Sequence, residues 1–273
     1  MERDSERGKK PVRKHMDPYH RREDTEDSDN SGLIEGRNAV IEALRAGRSI
    51  DKIYIAKGET DATLGHIAAK GRAAGAVVVE TDRRKLDQMS VTHSHQGVIA
   101  ISAVKEYATV EQILDIARER GEDPFIIICD EISDSHNLGA IIRTAEAAGA
   151  HGIIIPKRRS AGITPIVEKT SAGAVFHMAV ARVANLTAAI KELKEAGVWV
   201  YGTAADGSSS LWETNLSGPV AIVIGSEGDG MSRLVAENCD FTVSIPMKGK
   251  MSSLNASVSA GLLIYEVLRR RTS

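Results

Sequence analysis

From about residue 32 onward the chain alternates short apolar runs with amphipathic stretches, and their two periods separate strands from helices. Val40, Ile41, Ala43 and Leu44 recur at helical spacing within 38–46, and Leu64 to Ala74 reads as a second helix. Ile50 to Ala56 alternates as a strand, Val77 to Glu80 and Val98 to Ser102 read as two more, and Lys85 to Met89 as a short helix. Together these predict a small α/β unit over residues 32–105. From Pro124 onward the apolar runs lose their alternation. Strands are predicted at Phe125 to Cys129, Gly152 to Ile155, His177 to Val183, Val198 to Gly202, Val220 to Ile224 and Phe241 to Ile245. Helices fall between them at about 138–149, 163–174, 186–196 and 232–238, and a last helix runs on from Leu254. Runs without polar alternation are the mark of strands buried on both faces, so residues 123–273 predict a mostly parallel sheet covered on both sides. The polar stretch 106–122, with a helix around Val110 to Glu119, reads as the connector between the two units.

The first 31 residues change the picture only by exclusion. Residues 1–30 carry eight Lys or Arg and nine Asp or Glu, with almost no apolar side chains. Such a segment cannot offset its ordering entropy and is expected to be a disordered charged tail. The whole chain has 273 residues, 42% of them hydrophobic, enough for two modest domains with real cores. Its two cysteines, Cys129 and Cys239, show no metal-ligand spacing. No apolar run approaches a membrane span, and the N-terminus lacks the apolar centre of a signal peptide, so a cytoplasmic protein without membrane contact is expected. A net charge of −2 does not announce a nucleic-acid binder; such contacts would have to come from local basic patches.

Three stretches carry the chemistry, and each follows a predicted strand. NLGAIIRTA spans Asn137 to Ala145, GSEGDGMS spans Gly225 to Ser232, and IPMKGKMSSLNASVSAG begins at Ile245. In an open α/β sheet, ligands sit beyond the carboxyl ends of the strands, where all three loops would lie. Ser252 and Ser253 offer hydroxyls at the start of the last helix, whose first turns are small residues that let a backbone or a flat ligand approach. GSEGDGMS has Met231 where a phosphate-binding loop needs lysine, and Arg233 where a dinucleotide fingerprint needs its third glycine. Neither a nucleophilic triad nor a Cys/His metal set can be assembled, and no metal is expected. Gly139 and Arg143 are four apart on a helix, which predicts a gap beneath the guanidinium able to take an anion.

In order and spacing, these stretches resemble the signature motifs of the SpoU branch of the SPOUT RNA methyltransferases, also called the TrmH family. The resemblance covers Pro124 to Arg270. It implies a trefoil-knotted α/β catalytic domain, a homodimer, and transfer of a methyl group from S-adenosylmethionine to a ribose 2′-hydroxyl. By resemblance the cofactor contacts are Thr203 and Ala204, then Gly225, Ser226 and Gly228, then Ile245, Met247, Ser253 and Leu254. Arg143 would activate the ribose hydroxyl, Asn137 would orient the site, and Glu227 and Asn255 would complete it. A guanidinium holds its proton far above neutral pH, so stabilising a developing alkoxide suits Arg143 better than acting as a base. The dimer would be packed by Leu262, Leu263, Tyr265, Val267 and Leu268 of the last helix.

The segments around Ile34 to Val40 and His95 to Val98 are similar to the small RNA-binding domain that precedes the catalytic domain in many of these enzymes. Within the family the combination looks most like the RlmB-type enzymes, which act on a guanosine of 23S rRNA; a tRNA target is the alternative. Lys157, Arg158, Arg159 and Lys248 are the candidate phosphate contacts. The rival of another class is a catalytically silent RNA-binding protein of ribosome assembly, against which the intact Asn137, Arg143, Glu227 and Asn255 count.

Overall fold

A computed structural model describes residues 32–58, 61–251 and 253–272 of the chain, so the charged tail and Ser252 lie outside the described residues. The first unit comprises β1 (Leu33–Glu35), α1 (Arg37–Arg45), β2 (Ile50–Ala56), α2 (Ala62–Ala73), β3 (Val77–Thr81), α3 (Arg83–Met89) and β4 (Val98–Ser102). Its sheet has the order β1-β4-β2-β3, with β2 and β3 parallel and the other pairs antiparallel. One face buries Ile53, Ile55 and Val98 under α1 and α2, where Val40, Leu64 and Ile67 fill the core. The opposite face is covered by α3 only around Leu86 and Met89. His95 is a structural part of its loop: it is buried, meets Asp87 at 2.9 Å through Nε2, and accepts the Gly97 N–H at Nδ1.

The second unit follows as α4 (Val110–Arg120), β5 (Phe125–Cys129), α5 (Ser135–Ala147), β6 (Gly152–Pro156), α6 (Pro165–Thr170), β7 (Ala179–Val183), α7 (Leu186–Glu195), β8 (Trp199–Thr203), β9 (Ser209–Ser210), β10 (Val220–Ile224), α8 (Arg233–Asn238), β11 (Phe241–Ser244) and α9 (Ala256–Thr272). Its seven strands are ordered β7-β6-β5-β10-β8-β11-β9, and every pair is parallel. The expected α/β class with a mostly parallel sheet is what the chain builds. One layer packs α5 and α9 against the sheet through Leu138, Ile141, Ala260, Leu263 and Ile264. The other packs α4 and α7 through Ile113, Leu114, Ile190 and Leu193.

Three local expectations change. The helix read over 163–174 is cut short at Thr170, because Ala172 and Gly173 turn to positive φ, 51° and 81°. The strand read from His177 then starts at Ala179, after a single 3₁₀ turn over Ala174–Phe176. More consequentially, the stretch 106–122 is no free tether. Ala108 bridges to Ala181 at the edge of β7, and α4 opens on a capping box between Thr109 and Gln112 and buries Val110, Ile113, Leu114 and Ala117. Its apolar positions at helical spacing require a cover, and the large sheet supplies it.

The two units meet in a polar seam. Asp51 of β2 is 1% exposed, and its carboxylate takes a 2.9 Å ion pair from Arg182 of β7 and a 2.6 Å hydrogen bond from the Tyr107 hydroxyl. Arg182 also donates to the Asp51 carbonyl at 3.2 Å and lies over the Tyr107 ring, while Ile163 N–H donates to the Tyr107 oxygen. Gly162 is required there, since a Cβ would stand 2.0 Å from Asp51 Oδ1. Burial and the Asp51 charge push the Tyr107 phenol far above its ordinary range, so it remains a donor. Asp51→Ala would leave Arg182 buried without its partner, and we expect it to cost about 3–5 kcal/mol in urea unfolding. A loss of about 1 kcal/mol or less, the size of an exposed pair, would show that the seam opens freely.

Helix α9 is tied down at its C-terminal end. Arg271 donates to the carbonyls of Asp123, Pro124 and Gly218 and covers the Phe125 ring. Hydrogen bonds from Arg269, and then Arg270, hold the Glu266 carboxyl down at about 2. Among the apolar residues proposed for a dimer contact, Leu263 and Val267 are wholly buried in the protomer's own core, and Leu268 packs against that core. A residue four or seven places away on the helix falls on the same side, so Val258, Leu262 and Tyr265 form the apolar stripe that stays exposed.

Candidate active site

The loops after β8, β10 and β11 enclose a cleft of about 770 Å³ at the carboxyl ends of the strands. The loop after β10 closes on itself through paired backbone hydrogen bonds between Ser226 and Gly230 at 3.0 and 3.1 Å. Gly225 makes this possible: a Cβ there would stand 2.2 Å from the Gly230 carbonyl carbon and 2.3 Å from the Met231 nitrogen. The far end of the loop is pinned by Asp130, buried just past β5, whose carboxylate accepts the Ser232 N–H at 2.7 Å. The loop after β8 is held by the Ala204 N–H on the Val243 carbonyl and by Gly207 pressed on Val243 and Ser244.

The structure brings all nine residues proposed for the cofactor to this cleft: Thr203, Ala204, Gly225, Ser226, Gly228, Ile245, Met247, Ser253 and Leu254. Asp206 and Asp229, which no motif marks, also line it. With Glu227 they make three carboxylates, and no Lys, Arg or His is among the lining residues. That charge pattern suits a ligand carrying positive charge, such as a sulfonium, and opposes a polyphosphate. Their signal was available in the sequence: acidic residues in glycine-bearing loops just after strands. Asp130 gave a weaker one, as a lone acid closing an apolar run.

Three of the four residues proposed for catalysis meet at the cleft's edge. Asn137 Nδ2 donates to Glu227 Oε1 at 2.9 Å, and Asn255 Nδ2 donates both to Asn137 Oδ1 at 3.0 Å and to Glu227 Oε1. The Ala256 N–H adds a longer donation to the same Glu227 oxygen at 3.3 Å. Asn255 is meanwhile the cap of α9, its Oδ1 accepting from Ser257 N, Ser257 Oγ and Val258 N. One carboxylate oxygen therefore ties the start of α5 to the start of α9 from within the cleft wall. The side chains that carry the three sequence stretches converge here.

Arg143 is placed differently. It stands six residues beyond Asn137 on α5, about 9 Å along the axis, exposed and with no hydrogen bond or ion pair among the described residues. The gap expected beneath it does not exist. A Cβ on Gly139 would fall 1.9 Å from Thr170 Oγ1 and 3.0 Å from the Ser171 nitrogen, so that glycine serves the close approach of α6 to α5. The proposed phosphate contacts are spread out. Lys157 turns toward Gly75 of the first unit, Arg159 pairs with Glu131 at 3.1 Å, and Arg158 and Lys248 are exposed. Among the described residues no cluster of three or more metal-ligating side chains occurs, and no helix is long and apolar enough to cross a membrane.

The SpoU rRNA Methylase family matches residues 124–265, and the family described as RNA 2′-O ribose methyltransferase substrate binding matches residues 33–108. The chain is 48% identical over 244 residues to the Bacillus subtilis protein named "Putative TrmH family tRNA/rRNA methyltransferase YacO", covering 89% of this chain and 98% of that one. A solved structure of the SpoU methyltransferase AviRb from Streptomyces viridochromogenes, in complex with AdoMet, aligns with a TM-score of 0.56 at 25% identity, over 88% of this chain and 90% of that one. An AdoMet-bound rRNA methyltransferase from Sinorhizobium meliloti aligns with a TM-score of 0.55 at 29% identity, over 87% and 86%. A parallel catalytic sheet joined to a substrate-binding domain defines a two-domain RNA methyltransferase. The chain belongs to the SpoU rRNA Methylase family, as an RNA 2′-O-ribose methyltransferase of the TrmH type with S-adenosylmethionine as the family's cofactor.

Proposed function

We propose that the protein methylates the ribose 2′-hydroxyl of a guanosine in 23S rRNA, as a cytoplasmic homodimer, with residues 32–105 as the RNA-reading domain and 123–273 as the knotted catalytic domain. The observation that carries the reading is the Asn137–Glu227–Asn255 junction at the rim of an acidic, glycine-lined cleft. When bound, S-adenosylmethionine supplies a methyl group on a cationic sulfur. The residues that would hold it are Thr203 and Ala204, then Gly225, Ser226 and Gly228, then Ile245, Met247, Ser253 and Leu254, with Asp206, Glu227 and Asp229 complementing the positive charge. Held there, the cofactor would give its methyl to the ribose 2′-oxygen and leave as the neutral thioether, with the hydroxyl proton passing to solvent. Asn137 and Asn255, locked on Glu227, orient the ribose, and orientation alone supplies a large part of the rate. Arg143, unpaired among the described residues, is free to stabilise the developing alkoxide and the adjacent phosphate.

The test uses the product's chemistry. A methylated 2′-oxygen cannot attack its neighbouring phosphate, so that linkage resists alkali. Total RNA compared with and without the gene should lose one alkali-resistant position in 23S rRNA; a loss confined to tRNA would overturn the substrate. For the dimer, light scattering at micromolar concentration should give twice the chain mass. Replacing Leu262 and Tyr265 by aspartate should halve it, since charges cannot be buried unpaired in an apolar interface. A wild-type monomer would sink this arrangement.

A further inference from the structure

A second cavity, of about 220 Å³, lies in the seam between the two domains. Lys52 and Tyr54 of β2 reach it from the substrate-binding domain, and Ser133, Ser135 and Thr164 reach it from the catalytic domain. Lys52 and Tyr54 stand on the face of the small sheet that α3 leaves partly uncovered, next to Ile101 in register with Lys52. The Lys85 ammonium sits 5.6 Å from the Tyr54 ring centre. An aromatic ring with one ammonium group beside it and a second lysine on the same cavity wall is what a single-stranded nucleotide needs, a π-face for the base and positive charge for the phosphate. Thr164 contributes a hydroxyl that is buried yet has no hydrogen-bond partner among the described residues.

The cavity is built into the fold. The Asp51–Arg182–Tyr107 lock holds β2 against β7 directly beside it, and Gly162 lines it because only glycine clears Asp51. A site held open by buried polar contacts does not have to be ordered when a ligand arrives. Its position relative to the active site is set by α5. At about 100° per residue, Ser135 and Asn137 stand on opposite sides of the helix start, with the exposed His136 on the arc between them. The exposed surface at His136 therefore joins the junction at Asn137 to the seam at Ser135 around the helix start.

We propose that this seam cavity binds a nucleotide flanking the methylated one, with its base on Tyr54 and its phosphate at Lys52. The proposal rests on the RNA-methylating reading above. It makes the domain seam a specificity element, so that the small domain selects the RNA by its fixed placement as well as by its own surface.

The test uses the full chain and total RNA from a strain lacking the gene. Tyr54→Leu and Lys52→Ala should each raise KM for this RNA roughly tenfold, the size of a lost stacking or phosphate contact, with kcat and S-adenosylmethionine affinity unchanged. Tyr54→Phe keeps the ring and should behave as wild type. Short-wavelength ultraviolet irradiation with the same RNA should leave a nucleotide adduct on the peptide Ile53 to Lys57 of the wild type. An unchanged KM in both variants, or adducts only elsewhere, would overturn the proposal. So would equal losses in Tyr54→Phe and Tyr54→Leu, or loss of cofactor affinity, which would assign the residues to the seam's structure. The adduct separates the two readings: wild type that crosslinks at Tyr54 but methylates nothing would refute the activity and keep the site.

Discussion

Arg143→Ala is expected to lower the rate of methyl transfer by about 10²–10³-fold, the loss typical of removing one donor to a developing oxyanion. Affinity for S-adenosylmethionine should stay within a few-fold, because Arg143 does not line the cleft. The structure sharpens the expectation. An arginine with a structural role is found on a carboxylate or a carbonyl, as the largely buried Arg182 and Arg271 are. Arg143 instead stands exposed on the helix that positions Asn137, held by no partner among the described residues. Arg143→Lys tests geometry against charge. It keeps the cation and loses the planar fork, so a rate between the other two would assign part of the effect to bidentate contact. Single-turnover kinetics with saturating RNA and isothermal calorimetry separate the two quantities. Parallel losses of rate and of cofactor affinity would move Arg143 from the substrate side to the scaffold.

Gly225→Ala should abolish measurable cofactor binding, a loss of at least about 100-fold, through a single added carbon. That carbon would meet three backbone atoms of Gly230 and Met231 within 2.5 Å, and backbone cannot rotate away as a side chain can. Relief would require opening the Ser226–Gly230 pairing, which shapes the cleft wall and carries Glu227 toward Asn137 and Asn255. Overpacking of this kind costs roughly 1–3 kcal/mol or more, so a thermal melt must show that the variant still folds. Gly228→Ala is the matched comparison. It lines the same cleft, but its added carbon would meet nothing within 4 Å. It should fold normally and weaken binding far less. Equal effects of the two substitutions would mean that crowding of the ligand, and not closure of the loop, governs this site.

The two predictions rest on information that reached the sequence unequally. Apolar runs in the second domain are long and unbroken because both sheet faces are covered, so β5, β6, β8, β10 and β11 were legible to within a residue or so. The elements missed, β1 and β9, have three and two residues and no room for a period. Glycine was legible as a punctuation mark but not as a contact: from spacing alone Gly139 belonged with Arg143, whereas across the fold its partner is Thr170. The same limit applies to the last helix. Its apolar residues announced burial, but burial against the protomer's own core and burial against a second surface look alike along a chain. Only the direction of each side chain separates Leu263 and Val267 from Val258, Leu262 and Tyr265.

By itself the sequence determined which segments form strands and helices, and, through three motifs, the family and the residues to watch. That information is local, carried by periodicity and by short spacings. Tertiary structure decided what local order cannot contain. Glu227 lies 90 residues from Asn137 and 28 from Asn255, yet one of its oxygens joins them, because parallel strands return every loop to the same end of the sheet. Asp51 and Arg182 lie 131 residues apart and make a buried polar seam beside what reads along the chain as a connector. A buried charge must find its opposite, and where that opposite lies is a property of the folded chain.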